Sequence, residues 1–164
     1  MVIPILRRLN AAMAARPALA GWSFAIGNAE ASKPAERRLH WEFGRGDAPR
    51  GGYQADRVAK TIVIRQVPLT AVIRVRRAAT ATSQPGLTDA DYLAAEQALR
   101  EIYIALDTLC SGDWEAEGED WTETGAAPGE SVITVRLPLT IRVKVQHDAY
   151  KLVPVETTEA EAEA

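Results

Sequence analysis

Residues 131–145 read Ser-Val-Ile-Thr-Val-Arg-Leu-Pro-Leu-Thr-Ile-Arg-Val-Lys-Val, and their alternation decides the fold. Ile133, Val135, Leu137, Leu139, Ile141, Val143 and Val145 occupy the odd positions; Thr134, Arg136, Pro138, Thr140, Arg142 and Lys144 lie between them. Side chains alternate across a strand, so this period of two predicts a long antiparallel strand with one buried and one wet face. Such a strand would run roughly 40 Å at the usual rise. Pro138 has no N–H to give a ladder, which predicts a bulge, a bend or an edge at that point.

The pattern occurs twice. Val67-Pro68-Leu69-Thr70 matches Leu137-Pro138-Leu139-Thr140, and Ile73-Arg74-Val75 matches Val143-Lys144-Val145, at a constant offset of 70. Val63, Val67, Leu69, Ala71, Ile73 and Val75 are again odd and apolar, with Arg65 the exception. Two neighbouring strands with matching kinks satisfy the pattern, and so do two ordinary amphipathic strands whose prolines coincide.

Working outward, Thr88 precedes Asp89 and Asp91, a helix cap with acids in the first turn where the dipole favours them. Asp91 stands where a capping box places its acid. Tyr92, Ala95, Leu99, Ile102, Leu106 and Leu109 then recur every three or four residues up to Cys110, and Ser111-Gly112 supplies a stop. Ile3–Met13 reads as a second, N-terminal amphipathic helix with Pro4 in its first turn. Trp22, Phe24 and Ile26 alternate as a possible short strand, and Leu39–Phe43 as another. Between them, residues 28–38 read as a polar loop. Gly44–Gly52, with four glycines and two arginines, reads as a long loop. Along Asp113–Thr124, Glu115, Glu117 and Glu119 are expected on one strand face, with Trp114 and Ala116 on the other. The expected fold is α+β in the order α-β-β-α-β-β, a four-stranded antiparallel sheet with long kinked strands and both helices on one face. The odd side chains of 61–77 and 131–146 are expected against the helix Thr88–Cys110.

At 164 residues and 47% hydrophobic content, the chain is expected to form one domain over residues 1–155 with an acidic, disordered tail at 156–164. A single cysteine, Cys110, excludes an internal disulfide and a cysteine-based zinc site. The expectation is a soluble, intracellular protein without membrane contact. The net charge of −3 conceals a polarity along the chain. The first hundred residues carry 15 of the 19 basic groups, whereas residues 101–135 carry nine acids and no Lys or Arg. That matters if copies pack head to tail.

Signals for chemistry are weak. His40 and His147 lie far apart, and no serine or cysteine sits in a nucleophile elbow. The glycines of 44–52 lack the Lys-Ser/Thr of a phosphate loop. Glu115, Glu117 and Glu119 are the right ligand type for a hard cation, but along a strand they spread over roughly 13 Å, so a solvated or partner-facing acidic ribbon is the expectation. Neither a catalytic site nor a cofactor or metal site is expected. A nucleic-acid-binding sheet is disfavoured because exposed aromatics are missing from the wet strand face.

Four stretches carry a family resemblance. They are Ile5–Gly21 (ILRRLNAAMAARPALAG), Leu87–Leu106 (LTDADYLAAEQALREIYIAL), Trp114–Trp121 (WEAEGEDW) and the strand at 131–145. Their order resembles the tail terminator proteins of long-tailed bacteriophages, which begin with a short helix, continue through strands and a long loop to a second amphipathic helix, and end on paired strands. The resemblance implies a non-enzymatic virion protein, assembled in the host cytoplasm. It would form a hexameric ring between tail tube and head, cap the last tube ring, and offer a docking surface to a head-completion or connector protein. DNA would pass through the lumen without specific binding. Arg45, Arg50, Arg74, Arg76 and Arg77 on the basic side, and Glu115, Glu117 and Glu119 on the acidic side, are the expected contact residues, the acids facing either a neighbour's bases or the channel. The rival expectation is a small α+β ligand-binding domain or enzyme, which needs a deep apolar pocket with convergent polar groups.

Overall fold

The computed structural model describes residues 2–27, 36–44, 53–55, 61–78, 86–127 and 130–147. Arg45, Arg50, the rest of the loop after Gly44, and the acidic tail lie outside the described residues.

The chain is α+β. Helix α1 (Val2–Ala14) and a 3₁₀ turn at Pro17–Leu19 lead into β1 (Ser23–Ile26) and β2 (Arg37–Phe43). Then follow β3 (Tyr53–Ala55), β4 (Thr61–Ala78), helix α2 (Asp89–Cys110), β5 (Trp114–Ala116), β6 (Asp120–Ala127) and β7 (Glu130–His147). The strands form one seven-stranded sheet in the order β1-β2-β4-β7-β5, with β3 beside β4 and β6 beside β7.

The sheet departs from the four-stranded antiparallel expectation in two ways. First, β1 pairs with β2 in parallel, Ser23 opposite Arg38 and Ile26 opposite Trp41. Parallel partners need a crossover rather than a hairpin. Second, each flanking line is broken in two. β2 and β3 both pair with β4, at 69–75 and 61–63, while β5 and β6 both pair with β7, at 139–141 and 130–136.

The prolines explain the breaks. β4 and β7 pair antiparallel over their whole length, from Thr61 opposite His147 to Ala78 opposite Glu130, with constant register. Leu69 faces Leu139, so the offset-70 repeat becomes a crossed pair about one point, Pro68 opposite Thr140 and Thr70 opposite Pro138. The carbonyl of Pro68 accepts from the Gly44 N–H at 3.0 Å and that of Pro138 from the Glu117 N–H at 3.0 Å. In a strand the N–H and C=O of one residue point the same way. Each proline therefore turns its missing donor away from the central ladder and toward a flanking line, where that line breaks. The expected bend is thus absorbed outside the β4–β7 pair.

Both helices cover the odd-numbered face. Leu6, Leu9 and Met13 of α1, and Ala98, Ile102 and Leu106 of α2, are buried with Leu69, Ile73, Val135, Leu137 and Ile141 in one core. Ser111 ends α2 in the left-handed conformation at φ 42°, and Gly112 follows at φ 80°. The buried odd face is the one the alternation predicts.

Candidate functional site

The even-numbered face carries the polar groups of the sheet and is not covered by either helix. Strand alternation places Arg38, His40 and Glu42 of β2 on it, beside Arg74 and Arg76 of β4 and Arg136 of β7. Across the middle, His40 faces Val72, Val72 faces Arg136, and Arg136 faces Asp120. The Arg136 guanidinium donates to Glu42 Oε2, and Glu42 Oε1 lies 3.2 Å from His40 Nε2. These three side chains form a chain of contacts over Val72, which is 1% exposed although it points away from the main core.

His40 is itself buried, and its Nδ1 has no hydrogen-bond partner. Burial pushes its pKa down, Glu42 pushes it up, and the Arg38 and Arg74 guanidiniums push it down again; the net direction is down. Burial acts to raise Glu42, but the His40 hydrogen bond and Arg136 outweigh it and leave the carboxyl below its ordinary value. Neutral His40 with its proton on Nε2 would donate to Glu42 and leave Nδ1 as a buried acceptor without a partner. No serine or cysteine is contacted by this histidine among the described hydrogen bonds.

Arg38 and Arg74 stand directly opposite each other across β2 and β4. Like charges in that position repel, and Arg74 is exposed. Arg76, two residues on, is held by Glu130 in a bidentate pair, with Nε to Oε2 at 3.0 Å. Arg77 points to the other face. It donates Nε to Asp91 Oδ2 at 2.7 Å and Nη2 to Asp91 Oδ1 at 3.0 Å, which ties the end of β4 to the start of α2. Asp91 Oδ2 also accepts from the Thr88 N–H at 2.9 Å and the Thr88 hydroxyl at 3.0 Å, closing the capping box. Led by the Arg77 hydrogen bond, these contacts hold the Asp91 carboxyl at about 2.

The acidic residues do not form one row, which corrects the sequence expectation. Glu115 lies in β5 opposite Thr140 on the open face, 3.7 Å from Arg142 Nη2. Glu117 and Glu119 lie in the break before β6, where residues 117–119 oppose only 137 and 138. The extra residue reverses the alternation. Trp114 faces Ile141 and Trp121 faces Val135, so both indoles pack against the core despite their odd spacing. Glu123 consequently falls on the helix side and accepts from the Tyr92 hydroxyl at 2.6 Å.

On the helix side, a groove between α1 and α2 is lined by Ala12, Met13, Ile104, Ala105, Thr108 and Leu109. Its edge carries Arg16, whose Nε donates to buried Glu101 Oε2 at 2.7 Å. Cys110 is buried near the end of α2, and burial pushes its thiol pKa up, the opposite of an activated nucleophile. Among the described residues no three His, Cys, Asp or Glu side chains are grouped to hold a metal ion. No helix among them is long and apolar enough to cross a membrane.

Of the expected contact residues, the structure places Arg74, Arg76 and Glu115 on the open face and Arg77 in a clamp on the helix side. Arg45 and Arg50 lie outside the described residues. Sequence reasoning missed the His40–Glu42–Arg136 chain, although the alternation of Arg38, His40 and Glu42 in β2 marks that edge as two-faced. The chain matches no family model and no curated protein.

Proposed function

We propose that the chain is a structural virion protein of a long-tailed phage, forming a hexameric ring at the head-proximal end of the tail tube. There it stops tube polymerisation and joins tail to head, and it has no catalytic step. The observation that carries this reading is the open face of the sheet. One side of the sheet is sealed by two helices, while the other presents ordered charged side chains, basic over β2 and β4 and acidic at the β5–β6 line. A surface of that kind suits repeated contact between copies, because a head-to-tail interface brings unlike patches of one surface together and closes into a ring when the rotation permits. The acidic stretch Asp113–Glu123, apart from Glu123 on the helix side, would meet the neighbour's bases or line the channel, where a negative wall would not hold DNA phosphates.

The test is the particle itself. The purified protein is expected to run at six times its monomer mass by native mass spectrometry, and cryo-EM images are expected to show a ring with an open lumen. Phage lacking the protein are expected to make tails of uncontrolled length that do not join heads. A monomer that binds a small molecule in the α1–α2 groove, with normal tails in its absence, would favour the ligand-binding reading instead.

A further inference from the structure

The ring reading leaves open which surfaces meet, and resting on that reading we propose that the outer edge of β6 in one copy pairs with the outer edge of β1 in the next. The sheet then runs on from copy to copy. Among the described residues no strand lies beyond β1 at one side of the sheet or beyond β6 at the other. All four residues of β1 are partly exposed, and Thr122, Glu123 and Thr124 of β6 are exposed. An uncovered edge strand presents unpaired N–H and C=O groups to another chain.

The ladders fix which groups those are. The Arg76 N–H bonds to the Glu36 carbonyl and the Arg142 N–H to the Asp113 carbonyl, so even residues of β4 and β7 bond toward the flanking strands. Asp120, Thr122 and Thr124, opposite Arg136, Thr134 and Val132, therefore bond inward to β7. Trp121 and Glu123 turn their N–H and C=O groups outward. On the other side the Gly27 N–H bonds to the Trp41 carbonyl of β2 at 2.7 Å, which leaves Phe24 and Ile26 as the outward residues of β1.

The two edges are complementary in level, direction and face. Phe24, Leu39, Ile73, Val135 and Trp121 follow one another across the sheet in register, so the edges lie level. β1 runs with β2, β4 against β2, β7 against β4 and β6 against β7, so β1 and β6 run in opposite directions. Phe24 and Ile26 stand beside Leu39 and Trp41, and Trp121 beside Val135, all on the helix side, where Glu123 also lies. Opposed residues of an antiparallel pair share a face. Pairing Trp121 and Glu123 with the neighbour's β1 therefore keeps the helices of both copies on one side. A head-to-tail step along the sheet meets an edge already in phase, and sets the acidic β5–β6 line of one copy beside the basic side of the next. β6 against another β6 is the poorer match, because Asp120 and Glu123 give that strand only negative charge, whereas β1 carries none.

Proline at an outward position removes the donor that an added strand needs and leaves the chain's own ladder intact. Glu123→Pro and Phe24→Pro are each expected to weaken self-association about tenfold or more relative to Glu123→Ala and Phe24→Ala, by sedimentation equilibrium. The alanine comparison takes charge and packing out of the reading, since only proline lacks the N–H. Circular dichroism follows the fold. A mixture of the two proline variants is expected to give dimers that grow no further by native mass spectrometry, because each keeps the one edge the other lacks. Hydrogen exchange on the wild type needs no substitution: the amides of Phe24, Ile26, Trp121 and Glu123 are expected to slow about tenfold or more on assembly. Equal exchange in monomer and assembly overturns the pairing. Rings that form as well with proline as with alanine overturn it too, and leave the ring standing. Loss in Glu123→Pro without loss in Phe24→Pro assigns β6 to a two-fold pair with itself, against the head-to-tail contact. A proline variant that melts below its alanine counterpart with association unchanged assigns the edge to a segment of its own chain instead. A wild-type chain that stays monomeric at every concentration removes the ring and the contact together.

Discussion

Arg77 shows how a residue that looks like a docking group becomes a structural one. Its guanidinium grips Asp91, whose side chain is only 6% exposed and already holds the Thr88 cap. Removing either partner leaves a desolvated ion or an open helix end. Asp91→Ala is therefore expected to lower stability by about 2 kcal/mol in urea denaturation, with the slope of the transition unchanged. The Asp91 carboxyl sits at about 2 when folded against an ordinary 3.8, so the folded state binds this proton less readily than the unfolded one. Its stabilisation is complete above the ordinary value and fades as pH falls through about 2. The melting-temperature gap between the wild type and Asp91→Asn is expected to shrink over that acid range; a constant gap would sever the acid sensitivity from this carboxyl. His40 works on a second window. Its folded pKa is lowered, chiefly by burial, with Arg38 and Arg74 adding to the effect and Glu42 opposing it. The unfolded chain then takes the proton first, and stability declines as pH drops through the ordinary histidine range near ~6.5. Melting temperature is expected to fall on acidification from about pH 8 to about pH 5, and His40→Gln is expected to flatten that slope.

At the scale of elements, the two prolines decide where the sheet is continuous and where it is interrupted. Even residues of β4 and β7 bond outward, as the Arg76 N–H to the Glu36 carbonyl at 2.6 Å and the Arg142 N–H to the Asp113 carbonyl at 2.7 Å show. Odd residues therefore bond across the β4–β7 ladder, and Leu139 does so opposite Leu69. Pro138→Ala is expected to change stability by less than about 1 kcal/mol, because the donor it restores faces the β5–β6 break. Leu139→Pro is expected to cost several kcal/mol more than Leu139→Ala, since only the former removes a central ladder donor. Equal costs for the two Leu139 variants would mean the ladder direction is misassigned. The same logic says what was readable in advance. The two long strands, both helices and the buried odd face follow from periodicity, which depends only on local spacing. The reversed alternation between Trp114 and Trp121 does not, because periodicity does not count the extra residue at Glu117–Glu119; only Gly118, a residue type that marks bulges, signals it. Nor does the parallel β1–β2 pair, because alternation alone does not fix the relative direction of two strands. Arg77's partner is equally invisible, since it depends on how α2 docks on β4. Of the site, Arg74 and the acidic corner were legible as charge, while His40, Glu42 and Arg136 became neighbours only once the register of three strands was known.

For the whole molecule, fold and assembly rest on different forces, and salt separates them. The fold is held by a core in which Leu6, Leu9, Trp41, Ile73, Ile102 and Leu137 are fully buried. Ile141, 1% exposed between Val67 and Trp114 in register, belongs to the same core. Placing a carboxylate there by Ile141→Asp is expected to prevent folding, as judged by loss of cooperative melting, because the site would strip the charge of water. The proposed contact between copies rests instead on open strand edges and on the exposed charges beside them. Such charges act over a Debye length, about 10 Å at 0.1 M salt and about 3 Å at 1 M. Raising sodium chloride across that range is expected to weaken self-association by at least about an order of magnitude while shifting the monomer's melting temperature by only a few degrees. Sedimentation at several salt concentrations, paired with melting curves in the same buffers, reads both quantities. Association that strengthens with salt would point to an apolar contact such as the α1–α2 groove. Melting and assembly that fall together would mean the monomer does not stand without its neighbours.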